Sequence, residues 1–123
     1  MPFQFDQDTL DSGVLVLTLS GAMTMGTHLK QFEWKVEELA KQQKQRIVMD
    51  MVQVSYLDSS AIGVLVGCNG LLLSSGGQLR LAGVTERVNT IFKMTGVDGL
   101  LLSSSTRDEA VHDLTQDTRG SNA

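Results

Sequence analysis

Tyr56-Leu57-Asp58-Ser59-Ser60-Ala61-Ile62-Gly63, running on to Leu73, joins an apolar strand to a helix that is apolar on nearly every side. Upstream, residues 46–51 (Arg46-Ile47-Val48-Met49-Asp50-Met51) read as a strand, and residues 52–57 lead from it into the junction. The helix is predicted over residues 60–75 and is stopped by Gly76-Gly77. Residues 78–82 form the next strand, in which Leu79 and Leu81 point one way and Gln78 and Arg80 the other. Strand, helix and strand in that order imply a right-handed βαβ unit and a parallel sheet. The alternation in the last strand implies that one face of the sheet is wetter than the other.

Toward the N-terminus, residues 3–5 are a short strand candidate and Asp11-Ser12-Gly13 is the turn after it. Residues 14–19 follow as a β-rich apolar strand, so the first pair reads as a hairpin. Gly21 is expected to end this strand, leaving residues 22–26 as a loop with Met23 and Met25. A helix is predicted over residues 27–43, because Leu29, Phe32, Val36, Leu39 and Ala40 recur at spacings of three and four. Trp34 lies off that stripe, either capping the edge of the core or exposed.

Toward the C-terminus, Thr85 caps a third helix with Val88, Ile91, Phe92 and Thr95 on its buried face and Gly96 at its end. Residues 100–102, three leucines, are expected to be the last strand. Thr106-Arg107-Asp108-Glu109 has the spacing of a capping box and opens a short helix to about Leu114. The expected architecture is α/β: an N-terminal β-hairpin, then four β-α units, giving a mainly parallel five-stranded sheet with helices mostly on one face. Residues 1–123 read as a single domain, with a core at about residues 3–114 and a flexible tail over 115–123.

Composition narrows the function. The chain has 123 residues, enough for a hydrophobic core without staples. A net charge of −4 argues against nucleic acid as the main partner, since phosphate contacts need a concentrated basic face. The longest uninterrupted apolar-and-glycine run, residues 61–68, is too short for a membrane span, and residues 1–6 do not resemble a signal peptide. Cys68 is the only cysteine, set among apolar neighbours, and fits a reducing compartment. A cytoplasmic location is expected.

Signatures of catalysis are missing: there is no phosphate loop, no dinucleotide fingerprint and no nucleophile elbow. His28 and His112 stand near the ends of different helices and read as surface residues, and with one cysteine they give zinc no ligand set. Receiver domains carry a phospho-accepting aspartate at a strand end, and Asp50 sits near such a place. That chemistry needs a carboxylate pair for a divalent cation after the first parallel strand, where Ser20-Gly21-Ala22-Met23 stands instead. No catalytic residue, metal or cofactor is therefore expected.

Asp58-Ser59-Ser60 offers more capping groups than one helix end needs. Ile62, Val64, Leu65, Val66, Cys68, Leu71, Leu72 and Leu73 surround the helix axis, whereas a helix lying on one sheet hides only a stripe. Part of it is thus covered by neighbouring helices or faces a partner. Gly63, Gly67 and Gly70 lie on one flank and suggest a close backbone approach there, for which packing against the sheet is one cause. A phosphate on a serine here would suit the helix dipole and leave the fold intact, but an apolar partner would have to bury it.

The segment Val52-Gln53-Val54-Ser55-Tyr56-Leu57-Asp58-Ser59-Ser60-Ala61-Ile62-Gly63-Val64-Leu65 resembles the signature of bacterial anti-sigma-factor antagonists of the STAS-domain family. That signature is usually Asp-Ser-Ser/Thr-Gly-Leu-Gly after a strand. Leu19-Ser20-Gly21 is similar to the family's Gly-Glu-Leu loop, residues 76–81 to its Gly-Gly-x-Leu strand entry, and residues 88–97 to its third helix. The resemblance spans about residues 3–114 and implies a non-enzymatic switch. Such a domain, unphosphorylated, binds a serine-kinase anti-sigma factor and frees the sigma factor. The kinase phosphorylates the serine after the motif's aspartate, binding ends, and a metal-dependent serine/threonine phosphatase, itself only a transient partner, resets the switch.

By position that serine is Ser59, with Ser60 as the second candidate. The implied contact surface is Gly21, Ala22, Met23 and Thr24 together with Asp58, Ser59, Ser60, Ala61, Ile62, Gly63 and Val64. A monomer or weak dimer is expected. The family glycine after the serine pair is Ala61 here, and the family's Glu and Asp in the early loop are Ala22 and Thr24, which removes two charges from that surface. Members of the family also serve as constitutive subunits of lipid-transport or signalling complexes, in which Ser59 would be only a helix cap.

Overall fold

The computed structural model describes residues 2–120, with side chains described as far as Thr115. In chain order the elements are β1 (Gln4–Thr9), β2 (Leu15–Met23), α1 (Thr27–Ala40), β3 (Arg46–Leu57), α2 (Ser59–Ser74), β4 (Gln78–Ala82), α3 (Glu86–Thr95), β5 (Ser103–Ser104) and α4 (Arg107–Gly120). They form one five-stranded sheet in the order β1-β2-β3-β4-β5. The β1–β2 pair is antiparallel and the other three pairs are parallel. The expected hairpin and four β-α units are the architecture observed, with β2 serving both as the second strand of the hairpin and as the first strand of the β-α series.

Strand alternation sorts the core into two layers. Leu15, Leu17 and Leu19 of β2, Ile47, Met49 and Met51 of β3, and Leu79 and Leu81 of β4 face one side. There they meet Leu29, Phe32 and Val36 of α1, Leu65 and Leu72 of α2, and Val88 and Phe92 of α3. Val14 before β2, Val16, Val48 and Ala82 face the other side and meet Ala110 and Leu114 of α4. Burying one such Leu or Met fully is worth about 1.5–3 kcal/mol, so the three-helix side carries most of the apolar stabilisation. The α4 side is the wetter face foreseen from the alternation in β4: Arg80 there pairs with Asp113, Nη1 to Oδ2 at 3.5 Å.

Several boundaries differ from those predicted. β1 is longer than residues 3–5 and its outward residues Gln4, Asp6, Gln7, Asp8 and Thr9 are exposed. α1 ends at Ala40, three residues early, in a turn where Gln43 and Lys44 both take positive φ, 58° and 57°. β2 does not stop at Gly21 but continues through it to Met23, beside the extended second half of β3. A register shift between Gly21 and Ala22 allows this, and Gly21 supplies the left-handed φ of 87° there. Residues 22–23 are thus strand, and only residues 24–26 are loop.

The last strand is Ser103–Ser104, not the leucines before it, because pairing with Leu81 and Ala82 selects those serines. Leu101 is buried, while Leu100 and Leu102 are exposed. Thr95 is exposed rather than on the buried face of α3, and its hydroxyl donates to the carbonyl of Ile91. α4 runs past Leu114 to Gly120, and the expected tail residues 121–123 lie outside the described residues. Among the described residues no helix is long and apolar enough to cross a membrane.

Candidate functional site

β3 outruns β4 by seven positions, from Asp50 opposite Ala82 to Leu57, and delivers the chain to the start of α2 at one end of the sheet. Asp58 is the N-cap of α2, with extended backbone, and its Oδ1 accepts from the amide of Ala61 at 2.9 Å. Its Oδ2 accepts from the amide of Met25 at 2.9 Å, and its own amide donates to the carbonyl of Met23 at 3.1 Å. One residue therefore joins the end of β2 to the start of α2. Partial desolvation pulls the Asp58 carboxyl up, but amide donors at Met25, Ala61 and Ser60 outweigh it and hold its pKa below the usual value.

Because Asp58 fills the cap, Ser59 is the first residue of α2, and it is exposed. Ser60 is half-buried. Ala61 and Ile62 are core residues, 0% and 7% exposed. Gly63 is exposed and Val64 half-buried. On β2, Gly21 and Met23 are buried, Ala22 is half-buried, and Thr24 is exposed in the following turn. The expected surface is therefore narrower than eleven residues would suggest. Gly21, Met23, Ala61 and Ile62 shape it from below, and Ala22, Thr24, Asp58, Ser59, Ser60, Gly63 and Val64 are on offer.

Two large side chains join that rim without having been singled out. Met25 is 76% exposed beside Asp58. Tyr56 is 42% exposed, and the guanidinium carbon of Arg87 on α3 stands 6.0 Å from its ring centroid. Met25 could have been found from its place in the loop. The partnership of Tyr56 with Arg87 depends on α3 lying beside the extended part of β3, which no local spacing announces.

The apolar helix α2 resolves into a buried and an open face. Ala61, Ile62, Leu65, Cys68 and Leu72 are buried, and Val64 and Val66 pack at the edges of the core. Gly63, Gly67 and Gly70 point away from it, and a Cβ added at any of them would meet no atom within 4 Å. The close approach inferred from these glycines does not occur within the chain. They form a ridge of bare backbone on the outer side of α2, with Ser59 at its head.

The remaining candidates are accounted for structurally. Asp50 accepts from Arg107 and faces α4, on the opposite side of the sheet from α2. His28 and His112 are exposed on α1 and α4, and Trp34 is 58% exposed, away from the core. Burial, with Glu33 and Glu37 nearby, pushes the Cys68 thiol up to about 12, which removes its nucleophilic form at neutral pH.

A family profile described as STAS domain matches residues 7–110. An anti-sigma F factor antagonist from Paenibacillus polymyxa is 28% identical over 85 residues, covering 69% of this chain and 73% of that protein. An anti-sigma-B factor antagonist from Listeria monocytogenes is 35% identical over 71 residues, covering 54% of this chain and 62% of that protein. The structure of the anti-sigma factor antagonist SpoIIAA in its unphosphorylated form superposes with a TM-score of 0.75 at 20% identity, covering 92% of this chain and 97% of that one. The Bacillus cell fate determinant SpoIIAA in the phosphorylated form gives 0.70 at 19% identity, covering 89% and 98%. Sheet order, the capped strand-to-helix junction and the extent of the profile agree: the chain belongs to the STAS domain family.

Proposed function

We propose that this chain is an anti-sigma-factor antagonist controlled by phosphorylation of Ser59. Unphosphorylated, it binds a serine-kinase anti-sigma factor and so releases the sigma factor. In the complex the kinase transfers the γ-phosphoryl group of ATP: a bond forms between Ser59 Oγ and phosphorus, the bond to the bridging oxygen breaks, and ADP leaves. The hydroxyl proton passes to a base of the kinase. A serine/threonine phosphatase reverses the modification.

The observation that carries this reading is the division of labour at the junction. Asp58 caps α2, so Ser59 is not needed as a cap and stands exposed at the head of the bare glycine ridge. A phosphate there adds a charge of about −1.5 to −2 that the helix N-terminus tolerates but a partner packed over Gly63 would have to desolvate. The names of the relatives support the same reading, and a role for Ser59 as a mere cap draws no support from this geometry.

The test combines the protein with its kinase and ATP, maps the modified residue by mass spectrometry and measures binding. Ser59 is expected to carry the phosphate, Ser59→Asp to lose kinase binding, and Ser59→Ala to bind without being released. An unmodified Ser59 together with undiminished binding by Ser59→Asp would refute it.

A further inference from the structure

The outer edge of β4 is left open at its start. The ladder with β5 pairs only Leu81 with Ser103 and Ala82 with Ser104. In it the Leu81 amide donates to the Leu102 carbonyl at 2.9 Å. Carried back by two residues, the same ladder would join the Leu79 amide to the Leu100 carbonyl. Instead Asn69 on α2 takes that carbonyl, Nδ2 donating to it at 3.2 Å. The Leu100 amide closes a turn on the Val97 carbonyl at 2.9 Å, so the chain reaches β4 only at Leu102.

A cavity of about 140 Å³ remains between the strand edge and residues 100–102. Its apolar wall is Leu73, Leu79, Leu100, Leu102 and Leu114. Leu73, Leu100 and Leu102 are 56%, 55% and 60% exposed, so its mouth is open and greasy. Gln78 also lines it, and the side-chain oxygen of Gln78 is buried with no hydrogen-bond partner. A buried acceptor in that state calls for a donor. The Gln78 amide donates to the Gln45 carbonyl on β3 at 2.9 Å, so by alternation the Leu79 amide turns to the cavity side. One acceptor and one donor thus stand together in a wall of leucines.

We propose that this cavity binds a small aromatic alcohol, phenol being the simplest, and that Asn69 is the positioning residue that keeps it open. A leucine-lined cavity of about 150 Å³ accepts a single benzene ring. One hydroxyl serves both polar groups, donating to Gln78 Oε1 and accepting from the Leu79 amide. Water fits less well, because it needs about three hydrogen bonds and the wall is mostly leucine. The site lies at the other end of α2 from Ser59, so the proposal does not rest on the function proposed above.

The test titrates the intact protein, with isotope-labelled leucine methyl groups, with phenol and follows it by NMR. Saturable shifts confined to the five cavity leucines are expected, together with a shift of the Leu79 amide. Toluene has the same ring without the hydroxyl and should bind about tenfold more weakly. Asn69→Ala frees the Leu100 carbonyl for Leu79. In that variant the ladder should lengthen, the Leu79 amide should exchange with water more slowly, and phenol should no longer move the methyl groups. Shifts that do not saturate, or that spread equally to buried leucines elsewhere such as Leu17 and Leu39, would overturn the site. Equal affinity for phenol and toluene would overturn the ligand class, and undiminished phenol binding by folded Asn69→Ala would overturn the role of Asn69. The wild-type titrations decide the site and its ligand whether or not Asn69→Ala folds.

Discussion

Arg107, in the first turn of α4, reaches across the sheet to Asp50 in β3: Nη2 donates to Oδ2 at 3.0 Å and Nε to the same oxygen at 3.2 Å. The same Nη2 also donates to Thr18 Oγ1 on β2 at 2.8 Å. The apolar contact beneath α4 is small, Ala110 and Leu114 against three valines and Ala82. The helix therefore depends on polar attachments as well, this one in its first turn and that of Asp113 at its middle with Ser104 at 2.6 Å.

Replacing Arg107 by Ala leaves the Asp50 carboxylate, whose side chain is 15% exposed, without its cationic partner. Loss of charged hydrogen bonds in such a place costs about 2–3 kcal/mol, and the urea midpoint should fall accordingly. α2 and the junction lie on the other side of the sheet, so kinase binding at a temperature where the variant is folded should be unchanged. A loss of binding without a loss of stability would show that α4 takes part in recognition.

Asp58 gives stability a dependence on acid. Its pKa is lower in the folded chain than the ordinary 3.8, so its contribution is fully present above that value and is lost as pH falls through the folded pKa. Denaturation curves of wild type and Asp58→Asn should therefore differ at neutral pH and converge as pH drops below about 4. A difference that stays constant down to pH 2 would contradict the lowered pKa.

Glycines in this chain should respond to alanine in opposite directions. A Cβ at Gly77 would collide with the backbone carbonyl oxygen of Gln45, which cannot move aside, so Gly77→Ala should destabilise by about 2 kcal/mol or more. Gly67 sits inside a helix with open space around it, so Gly67→Ala should stabilise by about 1 kcal/mol. If the ridge is a partner surface, the same Gly67→Ala protein should melt higher yet bind the kinase less tightly. Calorimetry and a binding titration on one preparation measure both.

Cys68 should be inert in the folded protein. Its thiol is buried, with a pKa pushed up to about 12. Iodoacetamide at pH 8 should label it only as fast as the chain opens, and in denaturant at once. Rapid labelling under native conditions would place the residue outside the core.

Much of this structure could be read in the chain because the signals were local. The spacing of Leu29, Phe32 and Val36 gave the face of α1, and the alternation in residues 78–82 gave β4 to the residue. Asp58, Ser59 and Ser60 marked the junction by their own chemistry. What escaped was set by neighbours. β2 runs on past Gly21 because β3 continues beside it. The leucines at 100–102 look like a strand, yet the ladder with β4 falls on Ser103 and Ser104. Gly63, Gly67 and Gly70 share a face in any helix, but whether that face meets the core or open space is decided by the rest of the fold. Met25 and Arg87 join the rim of the site through contacts 33 and 31 positions away in sequence, at Asp58 and Tyr56, which no short motif carries.

The outer edges of the sheet have a consequence for how many copies are available to act. β1 turns Asp6 and Asp8 to solvent at one margin, and β5 closes the other with only two residues. Strands of a second copy approaching β1 meet like charge, and those approaching β5 find almost no ladder to extend. Both edges therefore disfavour edge-to-edge pairing between copies. For the partner-binding role proposed above that property matters, because the output of such a regulator is set by the number of unengaged molecules. Replacing Asp6 and Asp8 by Val would corrupt that count before it changed any single binding event.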